Sequence, residues 1–181
     1  MFTPPPPEFS RPIPVERLRA DGGASLSEQA SAEECAALAR RFNVPALLTL
    51  GVEATVEPMA PGGWRLRGTV AATLRQICVI TLESIETSLS EPFERRYLPE
   101  ARIAELDEDE ADDVTEPLGE AIDVGEAAAE TAALAIDPYP RKPGAVFEGR
   151  RHGPAGTEPL DDEAARPFAR LAALRPRPQR D

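Results

Sequence analysis

The chain has 181 residues, 41% hydrophobic but only 5% aromatic, which suits one domain with terminal segments to spare. Its formal net charge is −12, no apolar run approaches the ~18 residues of a membrane span, and two cysteines are too few for a disulfide scaffold. With no export signal in Met1-Phe2-Thr3-Pro4, the expectation is a cytoplasmic protein with reduced thiols.

The charge is concentrated. Residues 103–130 hold twelve Asp or Glu and no Lys or Arg, while the rest of the chain balances at 20 acidic and 20 basic residues. The 20 prolines crowd into both ends. Three regions follow: a disordered Pro-rich start (1–8), a single α+β domain (9–142) with an acidic loop at 103–121, and a Pro/Arg-rich tail (143–181) with a short helix at 161–174.

In chain order, Ser10 to Leu18 places Ile13 and Val15 on one side, and Pro12 and Pro14 restrict it to an edge strand. Asp21-Gly22-Gly23 turns the chain. Ser31 and Glu34 fit a capping box, and Cys35, Leu38, Ala39 and Phe42 share one face of a helix over about 32–43. Cys35 is expected in the core. Leu48, Leu50, Val52, Ala54 and Val56 alternate with polar residues as a half-buried strand. After a turn at 57–63, Trp64, Leu66, Gly68, Val70, Ala72 and Leu74 do the same. Folding these strands about Ala60 sets Glu53 opposite Arg67 and Thr55 opposite Arg65, which would neutralise Arg67 and leave Arg75 without an evident partner.

Gln76-Ile77-Cys78-Val79-Ile80-Thr81-Leu82-Glu83 is read as the meeting of two strands at a tight connection, with Cys78 in the core. Ile85, Thr87, Leu89 and Phe93 continue an alternating strand in which Pro92 marks an edge or bulge. Asp123 and Glu126 form a second capping pattern, and Val124, Ala127, Ala128, Thr131, Leu134 and Ala135 suit one helix face. The helix stops at Asp137-Pro138-Tyr139-Pro140-Arg141. The fold class is α+β: an antiparallel sheet, one covering helix near the N-terminus and a second helix after the acidic loop.

The chemical inventory is thin. The single histidine, His152, lies in a Gly/Pro-rich basic tail, and the acidic-loop carboxylates are too well solvated for tuning. Phosphate-loop, dinucleotide and nucleophile-elbow motifs are absent, and two distant cysteines with one tail histidine make no four-ligand zinc site. The expectation is a non-enzyme with no cofactor, metal or small-molecule substrate. Two recognition sets remain: Arg65, Arg67, Arg75, Arg95 and Arg96 for RNA phosphates, and Asp107, Glu108, Asp109, Glu110, Asp112 and Asp113 for a basic protein. An acidic chain without interleaved aromatics favours a protein partner or an adaptor within a larger particle.

The order of these pieces resembles the YceD-like family, the large ribosomal RNA subunit accumulation proteins of bacteria, in its alphaproteobacterial branch. The resemblance runs from about Phe9 to Tyr139. It rests on Arg11-Pro12-Ile13, Ala32-Glu33-Glu34-Cys35, Gly68-Thr69-Val70-Ala71-Ala72 and Gln76 to Glu83, then on the acidic spacer, Ile122 to Glu126 and Leu134 to Arg141. Residues 166–174 resemble the family's terminal helix. Cys78, Thr81, Leu82, Glu83, Asp123, Pro138, Tyr139, Pro140 and Arg141 sit at the family's motif positions. Many relatives carry C-x-x-C at the central position; here Cys78 matches the first cysteine and Thr81 replaces the second, so no zinc or redox role carries over. The resemblance implies a non-catalytic ribosome-biogenesis factor that supports synthesis, processing or accumulation of large-subunit (23S) ribosomal RNA. Its partner is then ribosomal RNA or a large-subunit ribosomal protein, met directly or indirectly. The alternative is an acidic chaperone or adaptor holding a basic ribosomal protein through residues 105–120.

Overall fold

The computed structural model describes residues 7–105 and 114–147. The chain divides into two compact units, Met1–Ala145 and Val146–Asp181. Every element assigned among the described residues lies in the first, in the order β1 (Pro12–Pro14), α1 (Val15–Asp21), β2 (Ala24–Gln29), α2 (Ala32–Arg41), β3 (Ala46–Met59), β4 (Gly63–Ile77), β5 (Ser84–Leu98), α3 (Glu100–Ile103), β6 (Thr115–Pro117), β7 (Ala121–Asp123) and α4 (Val124–Ala135). The fold is α+β. Strands β2-β3-β4-β5-β6 form a sheet that is antiparallel except at β5–β6, and β1 pairs antiparallel with β7 in a separate ribbon.

The period-two alternation sends Leu50, Val52, Val56, Leu66, Val70 and Leu74 to one side, all buried. On that side α2 packs on β3 through Leu38 and Cys35, and α4 packs on β4 and β5. The capping box of α2 is complete: Glu34 N–H donates to Ser31 Oγ at 3.2 Å and Ser31 N–H to Glu34 Oε2 at 2.8 Å.

Several expectations need correction. The β3–β4 hairpin folds about Pro61, two residues away in register, so Thr55 faces Arg67 and Glu57 faces Arg65. The cause is a shorter connection than expected: the strands run to Met59 and from Gly63, and Gly62 at φ 77° closes the turn. A register shift between Leu47 and Thr49 puts Leu47 inside (6% exposed) and Leu48 outside (38%). The expected strand 10–18 ends at Pro14. Val15 and Leu18, three apart, turn inward as a helical pair, and Gly22 caps α1 at φ 76° with its N–H on Leu18 O at 2.9 Å. The expected acidic loop contains the end of α3, all of β6 and the start of β7, and β6 adds a parallel pairing to the sheet. On α4 the buried row is Val124, Ala128 and Ala132, with Ala127 and Ala129 beside it, whereas Leu134 points outward. The helix 161–174 and most of the Pro-rich start lie outside the described residues.

An alanine-rich helix buries little area per residue, and polar clasps supplement it. Arg11 donates to both carboxylate oxygens of Glu34 (2.8 and 3.1 Å), reaches Glu28 at 3.3 Å, and stacks 4.4 Å from the Phe9 ring centroid. Arg41 donates to both oxygens of Glu126 at 2.8 and 2.6 Å, tying α2 to α4. Asp123 accepts from Glu126 N–H (3.1 Å), Arg11 N–H (2.7 Å) and Ser10 Oγ (2.5 Å), so it caps α4 and fastens the N-terminal segment at once. Glu126 completes no capping box, because its carboxylate goes to Arg41. Where α4 starts, a Cβ on Gly125 would collide with the Phe9 carbonyl, so close backbone approach requires glycine.

Replacing Asp123 removes a cap and leaves the Arg11 amide without its acceptor. Asp123→Ala is expected to lose roughly 2–3 kcal/mol, read as a lower urea midpoint at unchanged slope.

Candidate functional site

The β4–β5 connection is a knot of hydrogen bonds. Cys78 N–H donates to Glu83 O and Leu82 N–H to Cys78 O, both at 2.9 Å, which closes a loop too short for a two-strand crossover. The segment after α4 comes back to meet it: Val79 N–H donates to Pro140 O (2.9 Å), and Lys142 Nζ to Glu83 Oε2 (2.8 Å). One turn below, buried Gln76 bridges the same two segments, donating to Asp137 O at 2.8 Å and accepting from Thr87 Oγ1 at 2.9 Å. Residues 76–83 and 137–142, some sixty positions apart, thus form one structural unit. Within it Cys78 and Pro140 are buried, while Thr81, Leu82, Glu83, Pro138, Tyr139 and Arg141 are exposed. Asp123 is apart from this unit, at the N-cap of α4. From sequence, Gln76 stands out only as the first residue of the central segment and Lys142 not at all, although Gln76 is a polar residue at an inward position of β4 and could have been singled out on that ground.

Cys78 is buried but does not join the main apolar cluster. Its Sγ accepts from the backbone N–H of Lys142 (3.3 Å) and Thr81 (3.4 Å). The Thr81 hydroxyl foremost, then those amides, lowers the thiol to about 6. Cys35 moves the other way, because burial raises it. Leu82 holds φ at 58° with its side chain 76% exposed, a costly conformation for a residue with a branched side chain and no local hydrogen bond to offer. Among the described residues no group of three or more His, Cys, Asp or Glu could hold a metal ion.

The arginines do not form one stripe. Arg65 and Arg67 share Glu94, at 3.4 and 2.8 Å, so their neutralising partner comes from β5 and not from β3. Arg96 lies beside Arg65 in register. Arg95 is on the helix-facing side, held by Glu116 (3.2 Å) and Glu130 (3.8 Å) and only 16% exposed. Arg75 is opposite Glu86, roughly 27 Å along β4 from Arg67. Asp107, Glu108, Asp109, Glu110, Asp112 and Asp113 lie outside the described residues.

The side of the sheet away from α2 and α4 presents Ser25, Ser27, Glu53, Thr55, Thr69 and Thr73, short polar side chains around two hollows of about 660 and 560 Å³. Trp64, Phe93 and Tyr97 are all buried on the other side.

The sequence pattern of the family described as large ribosomal RNA subunit accumulation protein YceD matches residues 66–175, more than half of the chain. The chain belongs to this family. No curated protein and no solved structure matches it. The YceD match starts in β4, takes in the whole unit formed by 76–83 and 137–142, and leaves β1–β3, α1 and α2 outside, so it is shorter at the N-terminal end than the resemblance from Phe9. No helix among the described residues is long and apolar enough to cross a membrane.

The two thiols of the YceD chain are expected to titrate separately, Cys78 near pH 6 and Cys35 above the ordinary thiol range, as read by thiolate ultraviolet absorbance. Thr81→Val should raise Cys78. An unfolded cysteine ionises near 8.5, so the stabilisation that Cys78 adds is full above that pH and is lost as pH falls through about 6. The stability difference between wild type and Cys78→Ala should therefore widen from pH 6 to pH 9.

Proposed function

We propose that this YceD-family chain is a non-catalytic binding module of the cytoplasm that supports the synthesis, processing or accumulation of 23S ribosomal RNA. Family membership carries the reading, since the family's description ties it to large-subunit ribosomal RNA. Two features of the molecule support binding over catalysis. The motif residues Cys78, Glu83 and Asp123 are engaged in bonds that hold the chain together. The two adjoining hollows of the open sheet face are lined chiefly by serine and threonine with Glu53, Arg67 and Gln29, and among the described residues no histidine or cysteine stands in their walls. The partner is a large-subunit component, ribosomal RNA or ribosomal protein. Depletion of the protein in cells is expected to lower mature 23S RNA relative to 16S, with precursor accumulating, as measured on RNA gels and ribosome profiles; unchanged ratios would sink the reading.

The concentration of charge favours a second contact. Residues 103–130 hold twelve acidic residues and no Lys or Arg. Although Arg41 and Arg95 pair with Glu126, Glu116 and Glu130, the excess of acid suits a chaperone-like hold on a basic ribosomal protein through 105–120. Neutralising Asp107, Glu108, Asp109, Glu110, Asp112 and Asp113 as amides is expected to slow association with the partner and flatten its salt dependence. A stopped-flow series over ionic strength checks this, and identical salt slopes for the two chains would remove the contact.

A further inference from the structure

The two hollows of the open sheet face adjoin: both have Glu53 and Thr69 in their walls. The first is completed by Ser25 and Ser27 of β2 and by Thr55 of β3, and the second extends to Ser88 of β5. Among the described residues the Glu53 carboxylate has neither an ion pair nor a hydrogen bond, while its backbone is paired with β2 and β4. Arg67, the cation in the same wall, is committed to Glu94 at 2.8 Å. The trough therefore offers one carboxylate with no direct partner, beside an arginine turned to Glu94, among hydroxyls that both accept and donate. A guanidinium or ammonium is the complement of that arrangement.

Other occupants fit less well. RNA would bring phosphates to Glu53 and Glu57, beside Arg65 and Arg67 that are already tied to Glu94. Among the described residues it would find no aromatic ring in the trough walls, since Trp64, Phe93 and Tyr97 are buried under the helices. A second copy of this chain docked face to face would bring together two molecules that each carry −12. We propose that the trough takes an extended, arginine- or lysine-bearing segment of a basic protein. Glu53 receives one cation, and the hydroxyls of Ser27, Thr55 and Thr69 bond the segment's main chain. The proposal deepens the binding-module reading and rests on it.

The test uses the full chain with the six acids of 107–113 changed to amides, so that segment takes no cation. The probes are a synthetic peptide of alternating arginine and serine and a single-stranded uridine oligonucleotide, each titrated at physiological salt and followed by amide NMR shifts. The expected result is that the peptide moves Ser27, Glu53, Thr55 and Thr69. In the same background Glu53→Gln should weaken it roughly ten- to hundredfold, with the folded spectrum intact because the side chain is exposed. Equal affinity of Glu53→Gln, or peptide shifts elsewhere only, overturns the proposal. So does an oligonucleotide that moves the trough residues when the peptide does not, which assigns the face to RNA. In cells, a Glu53→Gln strain with normal 23S RNA beside a depleted strain with accumulated precursor rejects the trough and keeps the binding-module reading. Unchanged RNA on depletion rejects that reading, while the NMR shifts still decide what the trough binds.

Discussion

The alternation along β3, β4 and β5 commits the large side chains of the sheet to one side. Leu50, Val56, Trp64, Leu66, Leu74 and Phe93 all end up beneath the helices, and a pleated strand can serve one core only when its other face meets water. Both longer helices must then lie on the same side. The opposite face is left with serine, threonine and charge, and among the described residues Trp64, Phe93 and Tyr97 of the sheet all lie away from it. What the molecule can bind across its open sheet face is thus decided by the same periodicity that lets it fold.

That arrangement asks more of α4 than its side chains supply. A helix whose buried residues are Val124 and a set of alanines contributes little area, yet it covers β4 and β5. Small side chains bring backbones close, as Gly125 against Phe9 shows, and closeness makes short polar bonds possible. Asp123, the Arg41–Glu126 fork and the Arg11–Glu34 pair join the N-terminal segment, α2 and α4 into one belt. Arg11 is the largest influence holding the Glu34 carboxyl at about 2, followed by the Ser31 amide. Both partners are partly exposed, so screening keeps the net stabilisation modest.

Features specified locally were legible in the sequence: the α2 capping box, the alternating strands β4 and β5, and the start of α4 at Asp123 all have near-neighbour signals. Features that depend on a count of residues across a turn were not. The β3–β4 register slipped by two because Pro58 and Met59 read as turn residues but remain paired with Trp64 and Gly63. Strand β2 was invisible because its inward residues, Ala24, Leu26 and Glu28, lie at the sheet edge and are only half-buried, which blurs the alternation. Leu134 was placed inside on hydrophobicity alone, whereas on a helix this rich in alanine the buried row is set by which residues are small enough. At the site, Cys78 and the residues after α4 were recognised separately. Their meeting rests on Gln76 and on backbone bonds to Pro140 and Lys142, which no side-chain pattern announces.

The segment around Cys78 is therefore mainly a closure. Cys78 Sγ, receiving amides from its own turn and from Lys142, stitches the β4–β5 connection to the chain leaving α4. A sulfur surrounded by donors needs no second thiol to be useful, and Thr81 keeps the local pattern: its amide still points at Sγ, and its hydroxyl accepts from Glu83 N–H at 3.4 Å. The cost appears one residue later, where Leu82 is held in a left-handed conformation with its side chain in solvent. Glycine or asparagine would close this turn with less strain. Leu82, Val79, Ile77 and Tyr139 are all exposed, and all four lie on the segments that the closure holds together. The closure thus leaves apolar side chains of its own segments in solvent while the open sheet face presents hydroxyls and charge, so one periodicity and one closure expose chemically different groups.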